Sequence, residues 1–436
     1  MLTQKVNGLR LKVDASDHSL VDTAKLVQSA YRRRNKLSKA IKKAASPSKK
    51  KDLQRLYAAS PMVKLTYVLD AVTPDDEPLT IDHLIDKAYD TNLFLASEEP
   101  VTVLSKRKEN DKGYRFYCMF GPRHKLGQKI VADLISMEYT PKSYQFGVRK
   151  RGVQSAVKEI KKVVSLGYSH VLRLDVKKFF DSFNHSALAD AVPVDASLFE
   201  HCAIGKHYHT IAGAQSTAPP YQKAVALYAD LVRHAGIPLG SAASPAIGAY
   251  FMSKLDVKMP AGAVFINYVD DFLVLAKTPE LASQAHEALQ SALTGLSVGD
   301  FKLLGKPSSS PSPNFDFLGH MFTFDEAGKL HVSVHPANGH KVTNKAVMGI
   351  EELKEHIQTP TSKGVHSKLH DMAVSYARHL YGWINTFSQA ENIKAWRVEL
   401  DKYIELYCHL AQVDLTVVLA KVKAMKLAET PEYIAS

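Results

Sequence analysis

The sequence predicts an α+β protein built as a helical lobe, a mixed α/β middle and a second helical lobe. Three observations carry this. Apolar residues recur at helical spacing before about residue 100 and again beyond about Gly339. Between them, residues 101–120, 169–176 and 263–276 have the alternating or apolar texture of strands. The chain has 436 residues, 45% hydrophobic and 23% charged, the composition of a large globular protein rather than a disordered one. The textures follow one another along the chain, which makes the class α+β.

The elements follow in order. Residues 31–55 read YRRRNKLSKAIKKAASPSKKKDLQR, with eleven Lys or Arg and one acid, Asp52. Apolar spacing at Leu37, Ile41 and Leu53 predicts two short helices around the Ser46-Pro47-Ser48 break. So dense a run is a candidate phosphate-contacting patch, its plainer reading being a solvated helical face. Residues 61–100 are expected to be helical, with an acidic insertion at Asp75-Asp76-Glu77. ENDKG between two β-prone runs predicts a hairpin over 101–120. Leu126, Ile130, Val131 and Leu134 mark a helix, and residues 155–164 another. Gly236 and Gly240 form a flexible loop, and Ser244-Pro245 signals a helix start. Beyond Gly339 the chain reads as helical to the end, with a break at Pro360 and Gly364.

Charge and cysteine content narrow the function. Lys and Arg number 56 against 44 Asp and Glu, a net +12, which favours an anionic partner, nucleic acid being the commonest. No apolar run approaches the roughly 18 residues that span a bilayer, so no membrane partner is expected. The start of the chain lacks the unbroken apolar stretch of a signal peptide. Cys118, Cys202 and Cys408 are too scattered for a disulfide framework, and a reduced, cytoplasmic protein is expected. His201-Cys202 with His207 and His209 does not fit the paired spacing of a zinc site.

The chemistry concentrates in VFINYVDDFLVLA, residues 264–276. Asp270 and Asp271 stand between two runs that want burial, and a buried ionised carboxylate without a partner is very costly. Breaking a local rule in this way marks a functional site. A divalent cation would relieve the cost, since Mg²⁺ takes one or two carboxylates plus substrate phosphates. Successive strand residues point to opposite faces, so only one Asp would be a ligand unless a tight turn intervenes. Upstream, VLRLDVKKFFDSFNH (171–185) delivers Asp175 at the end of an alternating strand. A two-metal phosphoryl-transfer site needs carboxylates from separate strands, and Asp175 with Asp270 is the natural pair. Asp181 reads as a helix-start residue.

These segments, in this order, resemble the palm of reverse transcriptases. LDVKKFFDSF looks like motif A, GIPLGSAASP like motif B and YVDD like motif C. Lys306, in LLGKPSS, resembles the motif D lysine, and Phe317-Leu318-Gly319-His320 the motif E element that supports a primer end. SYQFGVRKRGVQSAV (143–157) is similar to the SxGFRxGxxxxxA segment of group II intron and retron-type enzymes. Gly113-Tyr114-Arg115, followed by Pro122, looks like the fingers hairpin. The likeness covers about residues 100–325. It departs from the pattern at Pro238-Leu239-Gly240, where many relatives read PQG, and SPAIGA lacks the Asn that often follows SPxLA.

The resemblance implies a right-hand polymerase: a helical, basic N-terminal extension (1–99), fingers and palm (100–325), and a helical thumb and C-terminal lobe (326–436). It implies that Asp175 and Asp270 hold two Mg²⁺ ions, or Mn²⁺, helped by the carbonyl of Val176, with Asp271 beside them. It implies that Lys306 supplies a proton or positive charge and that Arg115 contacts the triphosphate. Phe180 would be the steric gate that favours dNTPs, with Pro238, Gly240 and Tyr268 lining the nucleotide site. Trp383 in HLYGWINTF is read as thumb core. The expected enzyme is an RNA-directed DNA polymerase of the bacterial retron-like or defence-associated (abortive-infection) type, copying a structured non-coding RNA into a DNA product, in antiphage defence. Two other readings compete: a template-independent or protein-primed DNA polymerase of the same fold, and a non-catalytic RNA-binding, maturase-like scaffold.

Overall fold

In a computed structural model, the described residues are 2–6, 9–13, 20–69, 81–107, 114–213, 219–305, 314–358 and 365–428. The N-terminal lobe opens with a two-stranded antiparallel hairpin, β1 (Leu2–Val6) and β2 (Leu9–Val13), where only helices were expected. Val6 pairs with Leu9, so Asn7-Gly8 lies between the strands, the strongest short-range hairpin signal there is. Helices α1 (Leu20–Lys42), α2 (Pro47–Ala59), α3 (Pro61–Leu69) and α4 (Ile81–Asp90) follow. The break between α1 and α2 falls at the expected place. Ser46 caps α2 by accepting from the Lys49 N–H, and Pro47 takes the first helical position. The first helix is long rather than short, and residues 91–100, expected as helix, are irregular. The acidic insertion at 75–77 lies outside the described residues.

This lobe shares its core with the middle of the chain. Leu37, Ile41 and Tyr57 belong to the same buried cluster as Leu172, Leu174 and Phe272. The partly buried Arg34 guanidinium is central to the junction. It donates to Asp133 at 2.6 Å, and Tyr57 and Tyr67 donate to the same carboxylate. Asp133 comes from α5 (Pro122–Ser136). Arg34 is therefore a structural residue and falls outside the candidate phosphate-contacting patch. Arg32, Lys36, Lys39, Lys42, Lys43, Lys49 and Lys51 stay exposed.

The fingers hairpin is antiparallel: β3 (Val101–Arg107) and β4 (Tyr114–Met119), with β6 (Thr210–Ala212) added in parallel to β3. Helix α9 (Pro219–His234) packs Val225, Tyr228 and Val232 beneath this sheet.

The palm sheet has the strand order β7-β8-β5-β9 and is antiparallel throughout. Its strands are β5 (His170–Val176), β7 (Ala263–Tyr268), β8 (Asp271–Ala276) and the short β9 (Leu303–Leu304). Alternation divides its faces. Leu172, Leu174, Phe272 and Val274 enter the main core, against α10 (Ser244–Met252) and α11 (Pro279–Thr294). Val171, Leu273 and Leu275 face α6 (Val153–Ser165) instead. Short helices α7 (His185–Ala191) and α8 (Ala196–Cys202) extend the main core.

A second antiparallel sheet, β10 (Asn314–Phe317), β11 (His320–Phe324) and β12 (Leu330–Val334), leads into the thumb. The thumb is a helical bundle of α12 (Pro336–Gln358), α13 (Val365–Thr386), α14 (Ile393–Leu410) and α15 (Leu415–Ala428). Its core repeats at three- and four-residue spacing: Val342, Ala346, Ile350 and Leu353 on α12, and Ala373, Ala377 and Leu380 on α13. Trp383 packs against Phe387 and Trp396, as thumb core. Fingers, palm and thumb together make a right-hand polymerase fold. No helix among the described residues is long and apolar enough to cross a membrane.

Candidate active site

The acids meet at one end of the palm sheet. β5 and β8 run antiparallel in a register that sets Asp175 directly opposite Asp271. Directly opposed residues have Cβ atoms only about 4.5–5.5 Å apart. Asp270 enters from the turn. Tyr268 pairs with Asp271, so Val269-Asp270 is a two-residue hairpin loop, and the Asp270 carbonyl accepts from the Val176 N–H at 3.4 Å. The tight turn removes the one-ligand limit of a continuous strand.

Val269 has φ +59°. A positive φ at the first central position of a two-residue hairpin is ordinarily given to glycine. In a β-branched residue it costs on the order of 1–3 kcal/mol and persists only where the surroundings enforce it. Sequence reasoning did not identify the enforcing residues. Asn267 is buried and donates from Nδ2 to the Val269 carbonyl at 2.8 Å. Residues 144–146 pair alongside β7: the Asn267 N–H donates to the Tyr144 carbonyl, and Phe146 N–H to the Asn267 carbonyl, both at 2.8 Å. The family-like string SYQFG is thus the chain laid against the acidic turn. Only the fold pairs Gln145 with Asn267, so neither residue carried a local signal in the sequence.

Electrostatics mark the end of the sheet as a charge cluster. Burial raises the Asp271 carboxyl to about 6, with Asp270 adding to the effect. Burial raises Asp175 as well, and Asp270 again adds. Asp270 is raised by burial and held back by Arg115. Arg115 on β4 also lowers Asp175, so the cation of this hairpin lies within electrostatic reach of the acids. Arg173, two residues before Asp175 on the same face of β5, acts similarly while paired to Asp316. Sequence reasoning missed Arg173, although alternation places it there.

The residues expected to line a nucleotide site are placed by the glycine loop. Phe180 lies half-buried in a 3₁₀ turn (Phe179–Ser182), its ring edge-on to Phe179, and its carbonyl accepts from Ile237 N–H at 2.7 Å. Phe179 is fully buried, as core. Pro238 is buried, and its carbonyl accepts from the Ser244 hydroxyl at 2.8 Å, tying the loop to the start of α10. Gly240, at φ +97°, lies so close to β4 that a Cβ would meet the Cys118 carbonyl oxygen at 2.2 Å. The Leu239 carbonyl accepts from Cys118 N–H at 2.7 Å, so the loop is stitched to the strand that carries Arg115. Tyr268 is half-buried beside Asp271. Lys306 lies outside the described residues, two positions beyond β9.

The donor set is hard and all-oxygen, two facing carboxylates and a third in the adjacent turn, which suits a divalent cation of the Mg²⁺ or Mn²⁺ kind. Among the described residues no group of three or more His, Cys, Asp or Glu converges closely enough to hold a metal ion by itself. A metal ion held here would need further ligands from outside the protein, as Mg²⁺ commonly takes from substrate phosphates.

Residues 106–322 match the family model described as reverse transcriptase (RNA-dependent DNA polymerase), a range that spans Asp175, Asp270 and Asp271. No curated protein matches the chain. Among solved structures, a telomerase from Candida albicans in complex with a fragment of telomeric RNA is 10% identical, with a TM-score of 0.34, over 77% of this chain and 65% of that one. An apo telomerase from Candida tropicalis is 13% identical at TM-score 0.29, over 55% and 56%. The Sicinivirus 3Dpol RNA-dependent RNA polymerase is 12% identical at 0.29, over 77% and 69%. This chain therefore spans less than two thirds of the length of either telomerase. The family match and the facing carboxylates fall on the same strands: over just under half of its length the chain is similar to reverse transcriptases, and that stretch is set in a right-hand polymerase fold.

Proposed function

We propose that the protein extends a 3′-hydroxyl on an RNA template with dNTPs, and that the template is a structured non-coding RNA. The observation that carries the reading is the register that sets Asp175 against Asp271, with Asp270 in the adjoining turn and Arg115 reaching them from the fingers. Asp175, Asp270 and Asp271, with the Val176 carbonyl, would hold Mg²⁺. Bound there, the metal supplies activation of the primer hydroxyl and neutralisation of charge on the triphosphate and leaving pyrophosphate. Arg115 binds and orients the triphosphate from the fingers side. Phe180, pinned by the Ile237 N–H, narrows the space where a ribose 2′-hydroxyl would sit and so favours dNTPs. Gly240 and Pro238 keep the backbone close to the incoming base, and Tyr268 closes the site beside Asp271. Lys306 would add positive charge or a proton near the pyrophosphate. The exposed lysines and arginines of α1 and α2 are the surface that would hold the RNA by its phosphates. A bacterial, retron-like origin and a role in antiphage defence rest on family resemblance, and a cytoplasmic setting on the few, scattered cysteines.

The test is purification from the native host with the nucleic acid that travels with the protein, followed by sequencing of RNA and DNA beside an Asp270→Ala, Asp271→Ala variant. DNA complementary to a co-purified RNA in the wild type, absent from the variant, is the expected result. DNA that matches no RNA present would replace this reading with untemplated synthesis. Function retained by the variant would replace it with the scaffold reading.

A further inference from the structure

The strained turn that carries Asp270 is held from two sides. From within the hairpin, Asn267 holds the Val269 carbonyl. From outside, the 142–152 loop lies against β7, and Gly147 sits under the turn with no side chain. A Cβ there would meet Val269 Cγ2 at 2.9 Å and Val269 N at 3.0 Å. The loop is itself pinned. The Gln145 side chain, 1% exposed, accepts from Lys142 N–H at 2.9 Å and donates to the Ala249 carbonyl of α10 at 2.8 Å. Arg151 Nη1 donates to the carbonyls of Lys142, Ser143 and Gln145 at 2.6, 3.0 and 2.7 Å, closing the loop on itself. A buried apolar strand edge would pack β7 without two buried amides, each of which must find partners. Here the amides join three things: the helix that follows the glycine loop, the supporting loop, and the turn with the acid.

We propose that residues 142–152 form a brace for the acidic turn, with Gln145 and Asn267 as positioning residues that hold Asp270 against Asp175, and with Gly147 kept bare to admit Val269. The kinetic consequence rests on the polymerase reading, whereas the placement of the turn does not. A misplacement of about 1 Å at a reacting centre can cost about 100-fold in rate. Small errors in the turn therefore appear in kcat, while the nucleotide pocket built by Phe180, Pro238 and Gly240 keeps KM.

The experiment compares Asn267→Ala, Gly147→Ala, Val269→Gly and the Gly147→Ala, Val269→Gly double variant in the full chain. Three readouts are taken: single-nucleotide addition to a DNA primer on an RNA template, Mn²⁺ affinity without nucleotide, and amide hydrogen exchange of residues 264–276. Asn267→Ala and Gly147→Ala are expected to lower kcat about 10- to 100-fold, with KM for dNTP within about threefold. Both should weaken Mn²⁺ binding severalfold and speed exchange at the turn about tenfold, with β10–β12 unchanged. Glycine at 269 removes the Cγ2 contact and accepts the positive φ, while the 3.0 Å contact with the backbone N of residue 269 remains, so the double variant should recover part of what Gly147→Ala alone loses. That recovery distinguishes a positioning role from general damage to the fold. Where Asn267→Ala does not fold, the Gly147 and Val269 set decides. Wild-type turn exchange and Mn²⁺ affinity in folded Gly147→Ala, or no recovery in the double variant, overturns the brace. A wild type that adds no nucleotide defeats the polymerase reading, and exchange and Mn²⁺ affinity then judge the brace unaided.

Discussion

Two hairpins of this molecule have the same loop length and opposite tasks. In the palm, Tyr268 pairs with Asp271 around Val269-Asp270; in the second sheet, Phe317 pairs with His320 around Leu318-Gly319. The second has positive φ at both loop residues, +48° and +77°, the type I′ pattern, and spends a glycine on one of them. The first has positive φ at Val269 and uses no glycine. The second hairpin carries no charge of its own in the loop and is clamped to the thumb. The Gly319 carbonyl accepts from Asn338 Nδ2 at 3.1 Å and from His335 N–H at 3.0 Å, and buried His320 stacks near Phe387. The first gathers desolvated carboxylates and is held from the palm side. One turn gathers the acids and the other seats the thumb; both hold a non-glycine residue at positive φ, and the β-branched one, which tolerates it least, lies in the turn with the acids.

The largest effect should come from the acids. Asp270→Ala with Asp271→Ala is expected to lower nucleotide addition by at least about 10³-fold, since the open metal site loses its carboxylates. Thermal melting should not fall, because mutually repelling, desolvated charges are removed. Primer extension and calorimetry check this together, and lost activity with a collapsed melting point would mean that the acids hold the fold rather than the substrate.

The second hairpin should fail differently. A Cβ at Gly319 would meet Asn338 Nδ2 at 2.5 Å and Phe387 Cζ at 3.1 Å, in a residue already at positive φ. Gly319→Ala is expected to cost about 2–4 kcal/mol of stability. The first nucleotide should still be added while long products shorten, as the thumb loses its seat. Gel analysis of product length under single-encounter conditions tests it, and a uniform loss of the first addition would erase the distinction between the two turns.

Arg115→Ala sharpens the comparison from the fingers side. Its cation lowers both Asp175 and Asp270 without an ion pair to either. The expected change is a rise of about tenfold in KM for dNTP with a smaller fall in kcat, the pattern of a lost substrate contact. A pure kcat effect would make Arg115 a support for the acids instead.

The first hairpin was legible and its enforcement was not. Acids placed between apolar runs break a burial rule within a dozen residues, so Asp270 and Asp271 announce themselves in one dimension. Asp175 follows because β5 alternates. The positive φ of Val269 is invisible in sequence, since valine is a strand former and nothing local demands the turn. Gln145 and Asn267 meet across more than a hundred residues, and such a pairing has no local signature. Arg34 misled for the same reason: within a run of bases it reads as surface, and only the fold brings Tyr57, Tyr67 and Asp133 around it. The hairpin of β1 and β2 was legible at Asn7-Gly8, and expecting helices throughout the lobe hid it.

The smallest effect belongs to the strand that follows the second hairpin. His331 on β12 is shared between two carboxylates, Glu391 Oε2 at 3.0 Å and Asp325 Oδ2 at 3.1 Å, and Glu391 lies in the link between α13 and α14. Hydrogen bonds to Glu391 and then Asp325 raise its pKa above the ordinary 6.5. A folded value above the unfolded one means that the charged imidazole contributes fully below pH 6.5, and that the contribution is lost as pH rises through the folded value. Glu391 is shifted down, by His331 first, so its share is lost only as pH falls through a value below 4.5. Lys161, which donates to the Gln389 carbonyl, also faces Glu391 and lowers it further. The contact between sheet and thumb is therefore strongest between about pH 4.5 and 6.5. Because the pair is exposed, salt should screen it. Melting of the wild type should decline from pH 6.5 to 8 by about a degree more than that of His331→Gln, at low salt and not at about 1 M. Equal slopes at low salt would leave the second hairpin clamped by Asn338 and Phe387 alone, as indifferent to protons as the first is dependent on charge.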